Sequence, residues 1–129
     1  MSFGSSVLFL AFVASVTGRA AAEPPPSGAM EVIARVNRAA KHNDYVALRA
    51  DMAQEFTWSF GGDSSAEQAI DEWKKQPRYM LQLGRVTQAK CTYRKDKYVE
   101  CPANARASFR AGFKLSEGQW KMVYFVEGD

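Results

Sequence analysis

Residues Glu55–Trp73, EFTWSFGGDSSAEQAIDEW, decide how the chain folds. Phe56, Trp58 and Phe60 alternate with Thr57 and Ser59, a period of two that sets the aromatics on one side of a strand and the hydroxyls on the other. Gly61 and Gly62 supply the positive φ angles a sharp reversal needs, and Asp63 and Ser64 offer side-chain oxygens to the free amides of a starting helix. Ser64 followed by Glu67 has capping-box spacing, which predicts a helix from Ser64. Ala66, Ala69, Ile70 and Trp73 then recur at helical spacing, with Glu67, Gln68, Asp71, Glu72, Lys74 and Lys75 on the other side. Consecutive elements usually pack together, so this stripe is expected to lie on the aromatic face of the strand before it.

Upstream, Glu23-Pro24-Pro25-Pro26 reads as a stiff extended leader. Ser27 is expected to cap a helix running to about Lys41, with Ala29, Val32, Ile33, Val36 and Ala40 as its apolar stripe and Glu31–Arg35 as an ion pair. His42-Asn43-Asp44 stops that helix and starts a short second one, whose Tyr45, Leu48 and Met52 face inward. Downstream, Gln76-Pro77 ends the central helix, and Tyr79, Leu83 and Val86 mark another, interrupted by Gly84.

From Lys90 the period returns to two. Cys91–Arg94 and Tyr98–Cys101 form a hairpin around Lys95-Asp96-Lys97, and Pro102 closes its second strand. Phe109, Ala111, Phe113 and Leu115 alternate with Arg110, Gly112 and Lys114; the turn Ser116-Glu117-Gly118-Gln119 leads to Trp120, Met122, Tyr124 and Val126. Val123 and Phe125 face the other way, so this last strand is apolar on both sides and is either central or covered by a second subunit. The order is helix-helix-strand-helix-helix, then a four-strand meander: an α+β fold with helices packed on a curved antiparallel sheet, cone-like or cystatin-like.

At 129 residues, 47% hydrophobic and 24% charged, the chain has the composition of one ordinary globular domain. Val7–Val16, VLFLAFVASV, followed by Arg19-Ala20-Ala21-Ala22, reads as a secretory signal over residues 1–22, although its MSFGSS start carries no Lys or Arg. The apolar run is too short to span a bilayer, which takes about 20 residues. The expected organisation is therefore signal 1–22, leader 23–27 and one α+β domain over 28–129, in a periplasmic or secreted protein. Removing Arg19 from the 17 basic residues leaves 16 against 14 acidic, a balance too even for a nucleic-acid binder. Cys91 and Cys101, the only cysteines, read as a disulfide in an oxidising compartment; no histidine lies near them and their spacing suits no metal.

The helical start, EFTWSFGGD, SSAEQAIDEW and the terminal GQWKMVYFVEGD together resemble the cone-shaped α+β (SnoaL-like) superfamily of ketosteroid isomerase, polyketide cyclases and nuclear transport factor, over Ser27–Asp129. FGGD, VECPA, RAGF and FVEGD are also similar to stretches of small exported bacterial proteins without assigned function. The resemblance implies the fold. Enzymes of the superfamily use a pocket Asp, Tyr or His, and no residue of this chain matches a family motif closely enough for a catalytic role to be carried over.

Read on their own chemistry, Asp63, Asp71, Tyr79 and His42 are the candidate acids and bases. Plainer roles compete with each: Asp63 as a helix cap beside the glycine turn, and His42 as a dipole partner at a helix end. Trp58, Phe60, Trp73, Tyr79, Trp120 and Tyr124 are the candidate lining of an apolar ligand cavity, or else simply core. Arg94, Lys95, Lys97, Arg106, Arg110 and Lys114 form a basic side to which an acidic envelope component or a lipid headgroup would dock, or a solvated surface. No cofactor or metal is implied. The leading expectation is an exported, non-catalytic binding module for a small apolar molecule, a wall component or a protein partner. The rivals are a cone-fold lyase or isomerase and a protein that dimerises through the face carrying Val123 and Phe125.

Overall fold

Small and β-branched residues at helical spacing make the first helix, α1, over Ser27–Lys41, and Ala29, Val32, Ile33, Val36 and Ala40 are all buried as the stripe predicts. The computed structural model describes Gly4 and residues 24–59, 64–95, 98–104 and 106–128. The expected signal apart from Gly4, the Phe60–Asp63 turn and the hairpin tip at Asp96 and Lys97 lie outside the described residues. Pro26, not Ser27, holds the N-cap position, with no side-chain cap. Asp44 caps α2 (Tyr45–Ala50) by accepting the Ala47 amide at 3.0 Å.

Met52, expected on that helix, instead opens strand β1, Met52–Thr57, where it is equally buried. Phe56 is fully buried on this strand; Trp58, just beyond it, is half-buried against the same core. The next helix, α3, runs Ala66–Lys75 and is capped by Ser65, whose Oγ accepts the Gln68 amide at 3.3 Å. The expected cap, Ser64, is held extended by an antiparallel bridge to Thr57, and this moves the helix start along by one serine. Glu67 closes no capping box: Arg49 takes its carboxylate at 2.7 Å and holds it below the usual glutamate range. Arg35 likewise leaves Glu31 aside and grips Asp51 with a fork of bonds at 3.1–3.2 Å, a geometry guanidinium favours.

Helix α4, Arg78–Gln88, continues unbroken through Gly84 and packs against α1. Asn37 ties the pair, donating to the Gly84 carbonyl at 2.8 Å and to the Thr87 hydroxyl at 3.0 Å.

The meander is β2 (Thr92–Arg94), β3 (Tyr98–Cys101), β4 (Phe109–Ser116) and β5 (Gln119–Glu127), antiparallel throughout. Strand β1 adds to β5 in parallel, so the sheet is mixed, with order β1-β5-β4-β3-β2, and the last strand lies between the first and the fourth. The turn between β4 and β5 puts Glu117 and Gly118 at φ 51° and 78°, the paired positive angles that twist a two-residue hairpin correctly. Cys91 and Cys101 form a disulfide at the base of the β2–β3 hairpin, Cα atoms 4.4 Å apart.

One irregularity decides which residues face the core. Gly112 pairs with Tyr124 and Phe113 with Met122, leaving Val123 without a partner: a β-bulge, with the bend such an extra residue brings. A single inserted residue reverses the alternation after it. Met122 therefore faces the helices, and so does Phe125, which is only 2% exposed and packs edge-on against Trp73 at 5.6 Å. This corrects the proposed dimer face: Val123 and Phe125 do not share a surface, because Phe125 is core. Tyr124 and Val126 pass to the opposite face, away from the helices.

Helices α1, α3 and α4 pack on one side of the sheet, with α2 against α1 and α3, and buried apolar side chains form the core between. Trp73 meets Phe56 edge-on at 5.5 Å, and Phe109, Phe125 and Tyr79 complete the aromatic cluster. The fold is α+β, helices on a curved sheet, as the element order predicts.

Candidate functional site

On the side of the sheet that the helices leave uncovered, one rung crosses three strands. Glu100 on β3 pairs with Gly112 on β4, and Gly112 pairs with Tyr124 on β5. Neighbouring strands are about 4.8 Å apart, so Tyr124 must reach over β4 to meet Glu100. The glycine makes that reach feasible: a Cβ at residue 112 would overlap the Tyr124 ring. A glycine inside a strand often marks such a close approach.

The Tyr124 hydroxyl donates to Glu100 Oε2, the same oxygen that Tyr98 reaches at 2.7 Å from two residues away on β3. The two phenol oxygens also touch each other, their rings tilted at 47°. On the outer side Arg94 donates to Oε1 at 3.4 Å. Glu100 is 7% exposed, a depth at which a carboxylate requires partners. Burial alone would raise its pKa. The hydroxyls of Tyr124 and Tyr98 and the charges of Arg94 and Arg110 outweigh that and hold it below the ordinary value, so the carboxylate is ionised at neutral pH. The phenols respond in the opposite sense: burial, then the adjoining carboxylate, pushes Tyr124 far above its ordinary value, and burial raises Tyr98 as well.

These residues form the wall of an open cavity of about 630 Å³, lined by Thr57, Tyr98, Glu100, Arg110, Tyr124, Val126 and Gly128. Its volume lies in the range of small-molecule sites, roughly 300–1,000 Å³. Chemically, its carboxylate already has acceptor-to-donor contacts on both oxygens, its phenol protons are directed to that carboxylate, and Arg110 is the cation at the wall. That equipment suits holding a molecule better than moving its protons.

The residues singled out from sequence are dispersed. Trp73 lies in the core at 1% exposure. Trp58 packs at the core's margin, its indole N–H buried without a hydrogen-bond partner among the described residues. Tyr79 packs edge-on against Phe109 and Phe125 beneath the Arg78 guanidinium, 4.8 Å from its ring, and Arg78 also donates to its hydroxyl at 3.3 Å. Trp120 lies against Gly28 of α1. Phe60 and Asp63 are outside the described residues. Of the five proposed ligand-binding aromatics among the described residues, Tyr124 alone lines the cavity. Asp71 is exposed on the solvent side of α3. His42 is exposed just past α1, and the nearby Asp44 carboxylate caps α2. Among the described residues no cluster of three His, Cys, Asp or Glu side chains could hold a metal, and no helix is long and apolar enough to cross a membrane.

Tyr98, Glu100 and Gly112 were missed. A signal existed: Tyr98 and Glu100 share a strand face at a spacing of two, and Gly112 interrupts the side-chain pattern of β4 between Arg110 and Lys114. Pairing them with Tyr124 needs the bulge, which alternation does not announce.

No family model and no curated protein matches the chain. Solved structures do, and several are described as nuclear-transport-factor-2-like or as a candidate ketosteroid isomerase, the kind the sequence resembles. A candidate ketosteroid isomerase from Shewanella frigidimarina is 14% identical, with 78% of this chain and 94% of that one covered and a TM-score of 0.47. A protein of unknown function with a cystatin-like fold from Nostoc punctiforme is 12% identical over 82% of this chain and 94% of its own, TM-score 0.47. An epoxide hydrolase of M. tuberculosis is 10% identical, covering 82% and 81%, TM-score 0.44.

Proposed function

We propose that the chain is an exported, non-catalytic binding module whose small-molecule site is the cavity on the open face of the sheet. The state of Glu100 carries this reading. A general base or acid needs an accessible carboxyl with a pKa near the working pH. Glu100 has the opposite properties: both oxygens engaged and a pKa held down. Asp71 and His42 project into solvent, and the Tyr79 hydroxyl is held by Arg78, so the lyase or isomerase alternative lacks a poised group among the described residues. The buried side chains of the helices and of the inner sheet face pack into one apolar core, which supports a ligand site on the outside of the sheet. The exported location rests on Val7–Ala22 and on the Cys91–Cys101 disulfide.

Native mass spectrometry of protein purified undenatured from a bacterial periplasm tests both halves. The expected result is a chain beginning at Glu23 that carries a small-molecule adduct, released on denaturation and absent from a Thr57→Trp variant. An adduct that persists in Thr57→Trp would move the site elsewhere, and a chain retaining residues 1–22 would end the export reading.

A further inference from the structure

We infer that the ligand of this cavity is a flat amphipathic monoanion, its apolar body against Val126 and the tyrosine rings and its single carboxylate or sulfonate on Arg110. The inference deepens the binding reading above and rests on it. Three observations lead to it.

The first is what Glu100 excludes. A buried carboxylate between two phenol rings is the usual recipe for an ammonium site. Here Oε2 already accepts from Tyr98 and Tyr124, and Oε1 faces Arg94 at 3.4 Å. An incoming cation would have to displace those partners and would then meet the Arg110 charge. The second is the sign of the surrounding field. Tyr98 pairs with Arg94 on one side and Lys114 on the other, so both cations share its face of the sheet, and Arg110 lines the cavity itself. Among the described residues around the cavity these cations, with Lys121 opposite Lys114, outnumber Glu100, which attracts anions to the mouth. The third is the lining. The two tyrosine rings and Val126 furnish broad apolar surface, and Arg110 is the only cationic side chain among the lining residues, matching one negative charge. A guanidinium has five N–H donors, so Arg110 can hold an oxyanion alongside its bond to the Ala107 carbonyl and its other protein contacts. The recess and the single lining cation favour a free small molecule over a lipid surface, which draws on clusters of cations.

Fluorescence titration of the folded protein with two dyes of similar shape tests this: anilinonaphthalene sulfonate, an anion, and N-phenylnaphthylamine, its neutral analogue. The anionic dye is expected to saturate at one per chain and to bind at least about tenfold more tightly than the neutral one, the usual worth of one charge-assisted hydrogen bond. Arg110→Gln should remove that preference and leave the neutral dye unchanged. Thr57→Glu, at an exposed rim position that the core does not need, should weaken the anion alone, and keeps the test valid if Arg110→Gln fails to fold. Equal binding of both dyes, unchanged by either variant, overturns the anion inference while the binding reading stands. Binding to anionic phosphatidylglycerol vesicles with no dye saturation also overturns it. If neither dye binds and the natively purified chain carries no adduct, both readings fall.

Discussion

The Tyr124 ring occupies the space over Gly112, and this one cross-strand contact lets a hydroxyl on β5 bond a carboxylate on β3. Gly112→Ala places a methyl group where the ring is, so either the strand shifts or the ring lifts off Glu100. The expected loss is about 1–3 kcal/mol, the usual cost of overpacking, measured by chemical denaturation. In a Tyr124→Ala background the same change should be nearly neutral. If the two substitutions prove additive, the ring and the glycine are not coupled.

Glu100 should make the fold acid-sensitive, and the sign follows from its depressed pKa. A carboxyl whose folded value lies below the ordinary 4.5 contributes stability that is complete above 4.5 and fades as pH falls through the folded value. Denaturation midpoints of the wild type should therefore drop below about pH 4.5, and the drop should be smaller in Glu100→Gln. Tyr98 and Tyr124 have the opposite sense: with folded values raised above 10.0, their contribution holds at neutral pH and declines as alkali ionises them in the folded state. The ultraviolet alkaline titration of wild type minus Tyr124→Phe should show a phenol ionising only above 10.0.

Trp73 joins the sheet to the helices. It is 1% exposed and edge-on to both Phe56 and Phe125. Trp73→Ala should cost about 3–5 kcal/mol in equilibrium unfolding. A near-neutral result would mean that this ring is not the centre of the core.

The disulfide closes a loop of about 11 residues, which restricts the unfolded chain by about 2.8 kcal/mol in the loop-entropy account. Thermal melts with and without reductant, and of Cys91→Ser, should differ accordingly. Identical melts would remove the bond from the stability of the fold.

Helices and strands were legible wherever one pattern ran undisturbed: the stripe of α1, the stripe Ala66–Trp73, and the alternation Phe109–Leu115 all emerge as read. Errors arose where a local contact overrode a periodic rule. Ser64 has the spacing of a cap but is recruited to pair with Thr57. Arg35 is placed to meet Glu31 but finds in Asp51 a carboxylate that accepts both prongs of its fork. The largest consequence came from Val123, one unpaired residue that exchanges the two faces of β5 and takes Phe125 inward and Tyr124 outward. The site was illegible for the same reason, because its members lie on three strands and come together only in that shifted register.

The placement of β5 has a consequence for how the sheet assembles. Residues 119–127 supply the strand between β1 and β4, so β1, although early in the chain, joins the sheet only when these residues are in place. Closure of the sheet therefore waits on its most C-terminal strand, a pairing distant in sequence of the kind that slows folding.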